Sequence, residues 1–237
     1  MDTATASSSY ADRRGEVEHY FDRTAAATWA RLTSDAPVGR IRATVRAGRD
    51  RMRATLLSWL PADLSGRRIL DAGCGTGAAS VEMARRGAEV VAIDLSPTLV
   101  ALARERLPAY LGTGRIDFRS GDMLDPALGR FDHVVAMDSL IHYRAEDAVR
   151  ALSRLADRTG DSMLFTFAPR TPLLAAMWTV GRLFPRGDRA PAIEPVAPEK
   201  LAALMAADGG LAGWQAGRSD RVAVGFYTSQ ATEWRRA

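Results

Sequence analysis

The sequence predicts an α/β fold. It reads as a seven-stranded, mostly parallel sheet with an antiparallel last strand, preceded by an N-terminal helical lid and carrying a cap inserted after strand five. Three observations predict it. A glycine loop, Asp71-Ala-Gly-Cys-Gly-Thr-Gly77, joins the apolar run Arg68–Asp71 to a helical pattern through Ala79, Val81, Met83 and Ala84. From Arg67 onward, strand-like and helix-like segments alternate, which requires right-handed crossovers between parallel strands. Acids recur at the ends of successive strand-like runs: Asp71, Asp94, Asp122 and Asp138.

Taken in order, Met1 to Ala11 is small and polar and reads as a disordered tail. Residues 12–60 read as helical and form the lid. Val17, Tyr20, Phe21, Ala25, Trp29 and Leu32 recur at helical spacing before Pro37 interrupts. After it, Val38, Ile41, Val45, Met52, Leu56 and Leu60 form one stripe. Arg40, Arg42, Arg46, Arg49, Arg51 and Arg53 fall on other faces and are expected in water. Residues 61–168 form the core. Its strands are Arg68–Asp71, Glu89–Ile93, Ile116–Ser120, Phe131–Met137 and Ser162–Phe167. Ser96 caps a helix whose first position is Pro97. Ala145–Arg158 is the helix after strand four. Residues 169–198, with six prolines around the apolar segment Leu173–Phe184, break the alternation and read as the cap. Residues 199–237 complete the core with a short helix, Leu201–Ala207, and a hairpin whose arms, Trp214–Arg218 and Val222–Thr228, flank Ser219-Asp220.

Composition narrows the function classes. The chain has 237 residues, 47% hydrophobic and 25% charged, enough for one good-sized globular unit with additions. Its single cysteine, Cys74, rules out an intrachain disulfide and lies in the glycine loop. There is no Cys/His cluster for a metal, no apolar run of membrane-spanning length and no signal-peptide pattern, so a cytoplasmic enzyme is the default expectation. The net charge of +4 is carried almost wholly by arginine; basic–aromatic interleaving is lacking, and nucleic acid is not an expected partner.

The glycine loop specifies the ligand class. A strand, a glycine loop and a helix N-terminus make a nucleotide-binding turn. Gly73, Gly75 and Ala78 also fit the looser dinucleotide fingerprint, but Asp71 would repel a pyrophosphate. The same carboxylate suits S-adenosylmethionine, which carries a cationic amino group and no phosphate. The Asp-x-Gly-x-Gly-x-Gly pattern resembles the first motif of the Rossmann-like methyltransferases. On that reading the cofactor contacts are Asp71, Gly73, Cys74, Gly75 and Gly77, then Asp94 and Leu95 at the ribose, Asp122 and Met123 at the adenine, and Asp138 after strand four. The Asn/Asp-Pro-Pro-aromatic motif of nucleic-acid amino-methyltransferases is absent from Asp138-Ser-Leu-Ile-His-Tyr143. His142 in this loop is either a structural hydrogen-bonder or a group at the acceptor, and its position favours the second.

Beyond the loop, the chain resembles the magnesium-protoporphyrin IX methyltransferase family of bacteriochlorophyll biosynthesis. The likeness rests on Tyr20-Phe21-Asp22, Trp29-Ala-Arg-Leu32, Asp71–Gly77, Phe131–Tyr143, Phe167-Ala-Pro-Arg-Thr-Pro172 and Phe184-Pro-Arg-Gly-Asp-Arg-Ala-Pro191. The resemblance implies methyl transfer from S-adenosylmethionine to a propionate of Mg-protoporphyrin IX, leaving S-adenosylhomocysteine. It implies a catalytic role for His142. Chlorophyll-type members carry tyrosine where this chain has Thr33, which offers only a hydroxyl. Tyr20, Trp29, Tyr143 and Trp178 are the aromatic candidates for the macrocycle; Arg170, Arg182, Arg186 and Arg189 are those for its propionates, each equally consistent with solvated loop charge. The magnesium chelatase porphyrin-binding subunit and peripheral contact with the photosynthetic membrane are implied partners. The alternative left open is a small-molecule O-methyltransferase acting on a phenol or quinone precursor.

Overall fold

The computed structural model describes residues 3–24, 33, 39–170 and 193–237. Trp29, Trp178, Arg182, Arg186, Arg189, the Pro37 break and most of the expected cap lie outside them. The strands are β1 (Arg68–Ala72), β2 (Glu89–Asp94), β3 (Arg115–Ser120), β4 (Phe131–Ala136), β5 (Thr159–Phe167), β6 (Trp214–Val224) and β7 (Tyr227–Arg236). They form one sheet in the order β3-β2-β1-β4-β5-β7-β6. β1 to β5 pair in parallel, and β7 runs antiparallel between β5 and β6. The chain order reverses between β1 and β4, a switch point at whose carboxyl edge open α/β sheets bind ligands.

Near-continuous apolar strands need cover on both faces. α1 spans Thr3–His19 and continues into a π-turn, Tyr20–Thr24. The other helices are α2 (Arg40–Ser58), α3 (Ala78–Arg85), α4 (Pro97–Glu105), α5 (Ala145–Ala156) and α6 (Pro198–Ala207). Met52, Leu56 and Leu57 of α2 pack with Met83, Ala84, Val100 and Ala103 of α3 and α4 onto Ile69, Val90 and Val135. Val149, Leu152 and Leu155 of α5 and Leu201 and Met205 of α6 cover Leu70, Val91 and Val134 on the opposite face. Alternate strand residues therefore serve opposite layers. Met52 and Leu56 are almost fully buried, and each such side chain contributes about 1.5–3 kcal/mol.

Several expectations are corrected. The tail expected to be disordered over 1–11 is helical from Thr3. It is held by Ser9, which donates to Asp147 at 2.7 Å, and by Tyr10, which stacks on Tyr143 with ring centroids 4.9 Å apart. The second half of the expected lid is instead a layer of the core: α2 packs on β6 and β7. Ile41, expected on its buried stripe, is 58% exposed, whereas Arg49, expected in water, turns inward to Asp138. β5 begins at Thr159, earlier than the expected Ser162. The hairpin turn is at Gly225-Phe226, where Gly225 has φ 56°. Ser219-Asp220 lie within β6, next to a register shift between Ala216 and Ser219 that resembled a turn in sequence. Among the described residues no helix is long and apolar enough to cross a membrane.

Candidate active site

Two adjoining cavities open at the carboxyl edge of β1, β2 and β4. One, of about 620 Å³, runs from Asp94, Leu95 and Leu99 past Gly121 and Met123 to Ser139, His142 and Tyr143, with Val17 and Phe21 of α1 and its π-turn as cover. The other, of about 910 Å³, lies over the glycine loop between Asp71, Cys74 and Thr76 and the α2 residues Arg46, Arg49, Asp50 and Arg53. Arg49, Gly73, Gly75 and Met137 line both.

The loop is shaped for close approach. Gly73 has φ 84°, and a Cβ there would lie 2.4 Å from Ser139 Cβ, so only glycine lets the β1 and β4 loops touch. The backbone N–H of Gly75 donates to Asp94 Oδ2 at 2.8 Å, and that of Ser96 to Oδ1 at 3.0 Å. These bonds aim the carboxylate into the cavity, and burial pushes its pKa up. Asp71 is 2% exposed and accepts from Ser80 at 2.5 Å. Burial raises its pKa to about 6, the Ser80 hydroxyl opposes this, and the Asp94 charge adds to the rise. A carboxylate lifted that far favours a cationic ligand that restores its charge. Since the raised pKa means that the empty site holds its proton up to about pH 6, binding of S-adenosylhomocysteine is expected to tighten as pH rises from 5 to 7. Calorimetry across that range should show the slope in wild type and lose it in Asp71→Asn.

The remaining sequence candidates are distributed unevenly. Leu95 and Met123 line the first cavity as expected, and Cys74 lines the second with its thiol pKa pushed up by burial and by Asp71 and Asp94. Gly77 is not among the residues lining either cavity, and a Cβ there would lie 2.9 Å from the Phe118 ring. Asp122, expected at the adenine amino group, faces α1. Its Oδ1 accepts from Tyr10 at 3.0 Å and from the Leu124 N–H at 2.9 Å, and its Oδ2 from Arg14 at 2.8 Å. Asp138, expected to touch cofactor, lines the first cavity and accepts from Arg49, Tyr227 and Thr166.

His142 ends a 3₁₀ turn, Leu140–His142, is 5% exposed, and meets Phe21 edge-on with centroids 5.6 Å apart. Thr33 lies in the glycine-loop cavity, where its hydroxyl accepts from Arg106 at 3.0 Å. The two catalytic candidates thus line different cavities. Tyr143 is buried under Tyr10 on the wall of the first cavity, and its other side faces a small pocket shared with Glu194 and Val196 of the expected cap. Tyr20 lines neither cavity; its neighbour Phe21 does. Arg170 is exposed, with its N–H bonded to Val196 O at 2.9 Å.

Sequence reasoning missed Arg49, Tyr10 and Arg14, and marked Ser139 only as the neighbour of Asp138 at the end of strand four. Ser139 Oγ is buried on the cavity wall with no hydrogen-bond partner among the described residues. Such a group calls for a polar ligand or water. Together with the two oriented acids and the glycine approach, it fits an adenosine ligand with an amino-acid tail.

The comparisons agree with this geometry. The family profile "Magnesium-protoporphyrin IX methyltransferase C-terminus" matches residues 136–236, and a general "Methyltransferase domain" profile matches 69–160. A Rhodobacter capsulatus protein named magnesium-protoporphyrin O-methyltransferase is 54% identical over 229 residues, 96% of this chain and 99% of the relative. The crystal structure of the Synechocystis magnesium protoporphyrin IX methyltransferase with bound SAH superposes with a TM-score of 0.82 at 28% identity, covering 94% of this chain and 99% of that one. A ubiquinone biosynthesis O-methyltransferase of Xanthomonas oryzae is 41% identical, but over only 53% of this chain and 55% of its own length. The likeness to the first family covers 96% of this chain at 54% identity, so the chain belongs to the magnesium-protoporphyrin O-methyltransferase family.

Proposed function

We propose that the chain methylates one propionate carboxylate of Mg-protoporphyrin IX, using S-adenosylmethionine and releasing the monomethyl ester and S-adenosylhomocysteine. The observation that carries this reading is the whole-length identity to the Rhodobacter capsulatus protein, laid over a cavity whose acids and glycines suit the donor. Bound S-adenosylmethionine supplies an electrophilic methyl on a sulfonium. The residues here do the rest. Asp94 receives the ribose hydroxyls, Asp71 pairs with the ammonium, and Gly73 and Gly75 permit close approach. A propionate is already ionised at neutral pH, so no general base is needed. Its oxygen forms the new O–C bond as the S–C bond breaks toward sulfur, and no proton moves. His142 orients the carboxylate by donating a hydrogen bond, and the buried surroundings keep water from the nucleophile.

By the family resemblance, the macrocycle faces are assigned to Tyr20, Trp29, Tyr143 and Trp178, and the propionates to Arg170, Arg182, Arg186 and Arg189. The first half of the 12–60 segment as cover and 169–198 as cap belong to this proposal. So do delivery by the magnesium chelatase porphyrin-binding subunit and work in the cytoplasm at the periphery of the photosynthetic membrane, all resting on the family resemblance. A phenol or quinone acceptor is not favoured, because the ubiquinone relative matches only about half of the chain.

The test is turnover with S-adenosylmethionine on Mg-protoporphyrin IX against quinone precursors. Formation of the monomethyl ester alone is expected; methylation of the phenols alone overturns the reading. Glutamine at Arg170, Arg182, Arg186 and Arg189 in turn should weaken porphyrin binding about tenfold at one or two positions and spare S-adenosylhomocysteine. Unchanged porphyrin affinity in all four would remove the cap from the propionate site.

A further inference from the structure

Asp138 sits where four elements meet. It follows β4 with φ 53°, a left-handed conformation that side chains rarely adopt. Its N–H donates to Thr166 Oγ1 of β5 at 2.7 Å, and the Thr166 hydroxyl lies 3.2 Å from Oδ1. The Tyr227 hydroxyl at the start of β7 is 3.0 Å from both carboxylate oxygens, and Ser229 Oγ is 3.3 Å from Oδ1. On the remaining side Arg49 Nη1 of α2 donates to Oδ2 at 2.7 Å. The Asp138 side chain is 5% exposed and that of Arg49 20%. Burial and the Asp138 charge hold the Tyr227 phenol far from ionising, so it remains a donor.

A second observation fixes the same geometry. Gly48 precedes Arg49 in the interior of α2, where glycine costs about 1 kcal/mol relative to alanine. A Cβ there would lie 2.5 Å from Tyr227 Cδ1. The missing side chain lets α2 settle on the Tyr227 ring, and that seating brings Arg49 to Asp138. The guanidinium then lines both cavities, on a wall with Arg46 and Arg53.

We propose that Asp138, Tyr227, Thr166 and Ser229 are a positioning network whose work is to hold the Arg49 guanidinium at the junction of the two cavities as the receptor for a ligand carboxylate. The inference rests on the proposed methyltransferase reading, which supplies two carboxylates: the amino-acid end of the donor and the reacting propionate. A guanidinium pinned by a buried acid is oriented before a carboxylate arrives, whereas an unheld arginine first loses rotamer freedom. Tyr227, in the antiparallel strand and remote from the glycine loop in sequence, acts on the ligand only through Asp138 and Arg49.

The experiment is a double-mutant cycle on the full chain. Tyr227→Phe keeps the ring against Gly48 and removes only the hydroxyl. Dissociation constants for S-adenosylhomocysteine are measured by calorimetry, and KM and kcat for Mg-protoporphyrin IX by turnover. Arg49→Gln is expected to weaken one ligand by about 30-fold and Tyr227→Phe the same ligand by about fivefold. Tyr227→Phe added to Arg49→Gln should cost nothing further, because the hydroxyl then has no guanidinium to hold. Weakened S-adenosylhomocysteine assigns the anchor to the amino-acid carboxylate; a raised porphyrin KM with S-adenosylhomocysteine intact assigns it to the propionate. S-adenosylhomocysteine affinity and porphyrin KM both unchanged in Arg49→Gln, or a full Tyr227→Phe loss persisting on the Arg49→Gln background, overturns the network. A wild type that binds S-adenosylhomocysteine yet leaves the porphyrin unmethylated would defeat the function proposal alone, since the cycle is still read on S-adenosylhomocysteine.

Discussion

His142→Ala is expected to lower kcat about 10²-fold while leaving S-adenosylhomocysteine affinity nearly unchanged. The ring is buried on the cavity wall beside Ser139 and is braced by Phe21. Its proposed work is to donate a hydrogen bond to an acceptor that arrives already ionised. His142→Asn should therefore keep part of the activity, because an amide can still donate. An obligatory base would behave differently: Asn and Ala would be equally inactive, and wild-type kcat would fall on the acid side as the imidazole protonates. The measurement is kcat against pH for wild type and both variants at saturating substrate. Equal losses with an acid-limb decline would defeat the orienting role, and full activity in Ala would remove His142 from the site.

Asp94→Ala should weaken S-adenosylhomocysteine by about 1.5–3 kcal/mol, through the loss of charge-assisted bonds to the ribose. The side chain also satisfies the Gly75 and Ser96 N–H groups, so its removal loosens the glycine loop itself. Asp94→Asn separates the two effects. An amide oxygen can still accept from one backbone N–H, so the loop is partly kept while the negative charge is lost. Calorimetry giving wild-type affinity for both variants would refute the ribose assignment.

Legibility differed by the kind of force involved. The parallel core was readable because apolar runs, a glycine loop and strand-end acids are local signals, and their register follows once the strands pair. The hairpin turn was misplaced because Ser219-Asp220 has turn chemistry while the actual turn, Gly225-Phe226, carries an exposed phenylalanine. Asp71 and Asp94 were readable as site acids, since each side chain lies beside its own strand end. Asp122 and Asp138 occupy the same kind of position, but long-range cations, Arg14 and Arg49, pair with them, and of the two only Asp138 still lines a cavity. No spacing rule separates Arg49 from the five neighbouring arginines of α2. The available signal was Gly48, an unexplained glycine in a helical pattern, which asks for a close-packed neighbour.

The seat of α2 on the last hairpin bears on how the chain reaches its native state. Met52, Leu56 and Leu57 are synthesised early, but part of their packing surface, with Val222, Tyr227 and Ala231, comes from the final strands. Contacts that span nearly the whole chain close slowly, because loop closure must precede the gain. During synthesis α2 therefore waits as an arginine-rich amphipathic helix with part of its apolar side uncovered, open to chaperones or misassociation. A chain released before β7 would have the glycine loop but not the Tyr227 seat that brings Arg49 to Asp138, so the wall shared by the two cavities is completed only when the hairpin docks.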